Sequence, residues 1–123
     1  MTPTLILVID DEEPVREAVT DILDIEGLTV ISAPDGWTGI DLYREHQTEI
    51  GLVILDLSMP GMSGEATLAQ LRQINPQVRV LLSSGYSQTE VAARFAGRPS
   101  LSFMQKPFDL DQLVREVRQQ LAA

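Results

Sequence analysis

Residues 5–14 read Leu-Ile-Leu-Val-Ile-Asp-Asp-Glu-Glu-Pro, an apolar run that passes without a spacer into four acids and a proline. Leu5 to Ile9 has the form of a parallel strand buried on both faces. Pro14 fits the first position of a helix, where its missing N–H costs nothing. Val15, Ala18, Val19, Ile22 and Glu26 then mark one helical face, and Gly27 is a good stop. A buried strand feeding directly into a helix is the opening unit of an α/β fold.

The same alternation continues outward. Leu28–Ala33, Ile50–Leu55 and Val78–Ser83 share the character of the first run, and Leu101–Met104 is a weaker fifth strand. Asp35-Gly-Trp opens a second helix with Ile40 and Tyr43 inward. Leu68, Leu71 and Ile74 face inward from a third, closed by Asn75-Pro76. Ser87-Gln-Thr-Glu90 reads as a capping box for a short fourth helix ending near Gly97. Leu110, Leu113, Val114, Val117 and Leu121 give the fifth. Five strand–helix units predict an α/β, doubly wound (βα)5 parallel sheet with right-handed crossovers and helices on both faces. A length of 123 residues suits one domain over 1–123.

Composition narrows the function. With 18 acidic and 9 basic residues the net charge is −9, which argues against a phosphate-backbone binder and against attraction to anionic lipid. The absence of cysteine removes thiolate metal sites and cysteine nucleophiles, and suits a reducing, cytoplasmic setting. The apolar runs are too short to span a bilayer, and no signal-peptide pattern precedes them. Eight of the nine basic residues are Arg; the one lysine is Lys106.

In open parallel sheets, ligands sit beyond the carboxyl ends of the strands. Those junctions carry Asp10 and Asp11, then Asp56, then Ser83 and Ser84, then Lys106. Two like charges about 4 Å apart repel by roughly 4 kcal/mol at an effective dielectric near 20, so clustered Asp residues need a counter-charge or a proton. An all-oxygen set suits a hard divalent cation, Mg2+ in particular. The alternative is that Asp10-Asp-Glu-Glu13 only decorates a helix N-terminus, worth about 0.3–1 kcal/mol per acid; Glu12 and Glu13 are assigned to that role. The first loop lacks the glycines of a nucleotide-binding turn. Asp56 precedes Leu-Ser-Met-Pro-Gly-Met-Ser-Gly64, too far ahead of the third helix to cap it, and a carboxylate there can serve as a nucleophile toward phosphorus. Lys106-Pro107 is a candidate cis peptide, and its ammonium suits a carboxylate or a phosphoryl oxygen.

Asp10-Asp11, Asp56 within Leu-Asp-Leu-Ser-Met-Pro-Gly-Met-Ser-Gly, Ser84-Gly85 and Lys106-Pro107 together resemble the receiver domain of two-component response regulators, over essentially the whole chain. The resemblance implies the flavodoxin-like strand order 2-1-3-4-5. It implies Asp56 as phosphoacceptor, with Mg2+ held by Asp10, Asp11, Asp56 and the Ser58 carbonyl. Lys106 would contact the phosphoryl group, with Ser84 as switch hydroxyl and Phe103 as the aromatic that follows it. Ser84 and Gly85 stand where Thr and Ala are commoner. The segments around Ser84 and Phe103-Met-Gln-Lys-Pro-Phe108 look most like receivers at the C-terminus of hybrid sensor histidine kinases.

The function so implied is phosphoryl transfer from a phosphohistidine onto Asp56, self-catalysed rather than enzymatic, followed by a conformational switch. The implied partners are a histidine kinase or histidine phosphotransfer domain docking on the first helix, with a homodimer as a further option. The readout face would combine helix four, strand five and helix five. Two other classes stay open: a receiver-like docking module that is never phosphorylated, and a Mg2+-dependent phosphohydrolase using Asp56 as nucleophile.

Overall fold

The apolar runs form five parallel strands, β1 (Leu5–Ile9), β2 (Val30–Ala33), β3 (Ile50–Asp56), β4 (Val80–Ser84) and β5 (Leu101–Gln105). Between and after them come α1 (Glu13–Ile25), α2 (Gly36–His46), α3 (Gly64–Ile74), α4 (Gln88–Arg94) and α5 (Leu110–Ala122). The structure is a computed structural model that describes residues 3–95 and 101–122. The sheet order is β2-β1-β3-β4-β5, every pairing parallel, as the resemblance implied.

Alternation along each strand divides the core in two. Leu7, Ile9, Val53, Leu55, Val80 and Leu82 face Ile40 and Tyr43 of α2, Leu68 and Leu71 of α3, and Val91 of α4. Ile6, Val8, Leu52, Ile54, Leu81 and Met104 face Val19 and Leu23 of α1 and Leu113 and Val117 of α5. Strands covered on both sides carry apolar residues at successive positions, which is why they read as unbroken runs.

Four local expectations need correction. Leu28 is not in β2, because its amide donates to the Leu23 carbonyl and closes α1. Val78 is not in β4, because its amide donates to the Asn75 carbonyl in the turn after α3. On α1, Val15, Val19 and Ile22 pack against the core as expected, but Leu23 joins Val19 as a buried residue and Ala18 is exposed. Leu110, at the start of α5, is 48% exposed. Gly97, the expected end of the fourth helix, lies outside the described residues.

Candidate functional site

The hydrogen-bond ladder delivers the chemistry to one rim. Asp10 follows β1 and its amide still donates to Ala33. Asp56 ends β3 in register with Ser83, and Lys106 follows β5, its amide donating to the Ser84 carbonyl at 2.7 Å. Asp10 and Asp56 are each only 2% exposed, so both carboxyls have lost most of their water.

Each buried aspartate divides its two oxygens between structure and site. Asp10 Oδ1 accepts from the Glu12 amide at 2.9 Å, and Asp56 Oδ1 accepts from the Ser58 amide at 3.0 Å. These bonds fix the carboxylate planes. The other oxygens face the lysine: Lys106 Nζ lies 3.0 Å from Asp10 Oδ2 and 3.5 Å from Asp56 Oδ2. Arg16 reaches back from α1 and donates to the Asp10 carbonyl at 2.7 Å, bracing the same turn.

Asp10, Asp11, Glu12 and Asp56 each bring a carboxylate oxygen within 4.8 Å of the others. Glu12 therefore belongs to the cluster rather than to helix decoration, with its Oε1 3.6 Å from Lys106 Nζ. Nothing in the local sequence separates it from Glu13. The turn held by its amide bond to Asp10 brings it in. Arg16 was equally unmarked, since an Arg in the first turns of a helix is ordinary on its own.

Burial pushes the Asp56 carboxyl from its usual 3.8 up to about 6. The Ser58 amide opposes the shift, the Asp10 charge adds to it, Lys106 opposes it and Asp11 adds to it. For Lys106, burial favours loss of the proton, but the hydrogen bond with Asp10 and the charges of Asp10, Asp56 and Glu12 outweigh it, and its pKa is raised. The ammonium is thus firmly charged, and it faces the carboxylates of Asp10, Glu12 and Asp56. An all-oxygen set with surplus negative charge fits a hard divalent cation.

The remaining expected residues lie around this centre. Ser58 is exposed at the start of the β3–α3 loop. Ser84 is fully buried, and its Oγ accepts from the Tyr86 amide at 3.0 Å, turned toward its own loop. Phe103 pairs with Leu82 in the sheet and packs, half-buried, against the core under α2, α3 and α4. The Lys106–Pro107 peptide is cis. Beside the cluster an apolar cleft of about 330 Å3 opens between α1 and the β5–α5 turn, lined by Pro14, Val15, Ala18, Pro107, Phe108 and Leu110, with Glu12 and Lys106 at its edge.

No helix among the described residues is long and apolar enough to cross a membrane. The sensor kinase CckA of Brucella abortus (strain 2308) is 31% identical over 116 residues, 94% of this chain but 12% of that protein. The chemotaxis protein CheY of Bacillus subtilis (strain 168) is 30% identical over 117 residues, covering 94% of this chain and 96% of that protein. The crystal structure of the receiver domain from the hybrid histidine kinase CckA is similar with a TM-score of 0.80 at 31% identity, covering 95% of this chain and 98% of that one. The model of the response regulator receiver domain matches residues 6–118. Likeness of sequence and of fold thus converge on what Asp10-Asp11, Asp56 and Lys106 implied: the chain belongs to the response regulator receiver domain family.

Proposed function

We propose that residues 1–123 act as one receiver unit in the cytoplasm, taking a phosphoryl group on Asp56 from a phosphohistidine of a histidine kinase or histidine phosphotransfer domain. The observation that carries this reading is the placement of Asp56 Oδ2, buried, 3.5 Å from the Lys106 ammonium and inside the carboxylate cluster. Asp10, Asp11 and Asp56, with the Ser58 carbonyl, are the residues that would hold Mg2+. The all-oxygen cluster fits that ion, which supplies charge neutralisation so that phosphoryl oxygens can approach the acids.

The chain's own groups divide the work. Asp56 Oδ2 attacks phosphorus while the P–N bond to the donor imidazole breaks, its electron pair leaving with the nitrogen. The Ser58 amide holds Oδ1, so the attacking oxygen keeps its direction. Lys106 sits where it can bind a phosphoryl oxygen as charge builds, while its bond to Asp10 holds it in place. The apolar cleft beside Lys106 gives a donor domain a surface on which to bring its imidazole in line. Once Asp56 is phosphorylated, Ser84 leaves its Tyr86 bond for the phosphoryl group, and Phe103 repacks to signal through α4, β5 and α5.

Incubation with acetyl phosphate and Mg2+, followed by intact-mass measurement, tests the reading. One phosphoryl adduct is expected on the wild type and none on Asp56→Asn or in EDTA. An unmodified wild-type chain would leave a docking module, and turnover of the phosphoester far beyond one equivalent would indicate a hydrolase.

A further inference from the structure

The first turn of α2 is pressed against both segments that carry the acidic cluster. Toward β1, Gly39 has no room for a β-carbon because the Ile9 side chain occupies that space, and Ile9 immediately precedes Asp10. Toward the β3–α3 loop the contacts are reciprocal. A β-carbon on Gly36 would lie 2.8 Å from Met62 Sδ and would also meet Thr67 Oγ1. A β-carbon on Gly61 would lie 3.0 Å from Cζ3 and 3.1 Å from Cη2 of Trp37. Each segment thus offers a bare glycine to the other's large side chain, and Gly36–Trp37 interlocks with Gly61–Met62.

Both ends of this interlock are anchored. Asp35 Oδ1 accepts from the Thr38 amide at 2.8 Å and caps α2, which fixes where Trp37 projects. Ser63 Oγ accepts from the Ala66 amide at 3.1 Å, and Thr67 Oγ1 donates to the Ser63 carbonyl at 2.8 Å, fixing the far end of the loop. Between Ser58 and Ser63 the chain turns through Pro60 and through Gly61 at φ +76, a conformation side-chain-bearing residues rarely adopt. Trp37 is 56% exposed, so its ring is not a core element like Ile40 or Tyr43 of the same helix. Its indole lies over Gly61, between Met59, which is buried in the core, and Met62, which packs against Gly36.

We infer that Trp37 is a positioning residue for the phosphoacceptor site: its indole clamps the β3–α3 loop at Gly61 and so keeps Ser58, and through the Ser58 amide the Asp56 carboxylate, where cation binding and phosphoryl transfer need them. The inference rests on the phosphoacceptor reading of Asp56. Without the indole the loop must be ordered when the cation binds, so the effect falls on Mg2+ dependence rather than on the rate once Mg2+ is saturating.

The test measures phosphoryl uptake from acetyl phosphate across a Mg2+ titration for wild type, Trp37→Ala, Trp37→Phe and, as a control at another exposed apolar side chain, Ile25→Ala. Trp37→Ala is expected to raise the half-maximal Mg2+ concentration about fivefold, the cost of ordering roughly one residue's backbone. Its rate at saturating Mg2+ should stay near the wild-type value. Trp37→Phe should recover most of the affinity, and Ile25→Ala should follow the wild type throughout. A Trp37→Ala curve that superimposes on the wild type overturns the inference, and so does a Trp37→Phe curve no better than that of Trp37→Ala. Should Trp37→Ala not fold, the wild-type indole, the only tryptophan in the chain, decides. Its emission anisotropy in EDTA must be that of a ring held by the fold, and an indole that rotates freely until Mg2+ is added overturns the clamp. A wild-type chain that takes no phosphoryl group at any Mg2+ concentration fails the phosphoacceptor reading itself, an outcome distinct from an unshifted Trp37→Ala.

Discussion

The two ends of the sheet both gather polar groups, but they satisfy them differently. At the amino ends of the strands, a cleft of about 210 Å3 is lined by Tyr43, Asn75, Gln77 and Arg79 among others. There the groups pair within the fold: Asn75 Nδ2 donates to the Tyr43 hydroxyl at 3.1 Å, and Arg79 Nη1 donates to the Gln120 carbonyl at 2.6 Å. At the carboxyl ends, four carboxylates lie within 4.8 Å of one another, and three of them pair with one ammonium. The amino-end contacts are complete without a ligand, whereas the carboxyl-end cluster carries negative charge that the protein itself leaves uncompensated. Polarity at a strand end therefore does not by itself mark a binding site, and unbalanced buried charge is the feature that sets the carboxyl-end rim apart.

The largest test of this contrast removes the one compensating charge. Lys106→Ala leaves Asp10 and Asp56 facing each other in a site where each is 2% exposed. Loss of one partner of a buried ionic cluster costs about 3 kcal/mol of stability, expected here at pH 7 in EDTA. Saturating Mg2+ should restore a large part of that loss by binding only the folded state. Denaturant unfolding with and without Mg2+ measures both effects. Arg79→Ala at the other rim should show no Mg2+ response beyond that of the wild type, and a matching response there would break the distinction.

A second, smaller effect comes from Asp56. Its folded pKa of about 6 lies above the usual 3.8, so between those values the folded chain keeps a proton that the unfolded chain has released. The folded state then binds more protons, and this group's contribution to stability falls as pH rises through that window and is constant above it. Asp56→Asn removes the ionisation. In EDTA its stability advantage over the wild type should be small near pH 4, grow toward pH 6 and level off at roughly 2–3 kcal/mol. A constant difference across the window would mean that burial does not strain the Asp56 carboxylate.

The architecture was readable because strands covered on both faces must be apolar at every position, as in Leu5 to Ile9, Ile50 to Leu55 and Val80 to Leu82. Parallel winding then sends Asp10, Asp11, Asp56 and Lys106 to one rim, so the centre of the site could be read from order along the chain. Features that depend on turn geometry were not readable. Glu12 and Glu13 are identical in type and adjacent, and only the Asp10–Glu12 turn draws one of them to Lys106. Leu28 and Val78 have strand-like side chains, but their amides are already used by the turns that end α1 and α3. Trp37 carries no signal of its own, because its role depends on a glycine 24 positions away along the chain that meets it only in the folded structure.

The smallest expected effect tests the amino-end rim. Tyr43 is 1% exposed, and burial raises its pKa while the Asn75 hydrogen bond opposes that shift. Tyr43→Phe keeps the ring in the core and deletes only the hydroxyl. The loss should be about 1 kcal/mol, the usual net worth of a neutral hydrogen bond. Half-buried Asn75 can recover part of it from water, while its main-chain bond to Leu71 and its side-chain bond to the Gln77 amide stay intact. Phosphoryl uptake and its Mg2+ midpoint should match the wild type, because no charge changes and α2 keeps its position through Ile40 and Gly39. An altered midpoint in Tyr43→Phe would mean that the two rims are coupled through α2, whose first turn holds Trp37 against the β3–α3 loop and which also carries Tyr43. Unequal responses, a loss of stability with the same midpoint, are what separate a polar rim that closes the fold from one that takes a ligand.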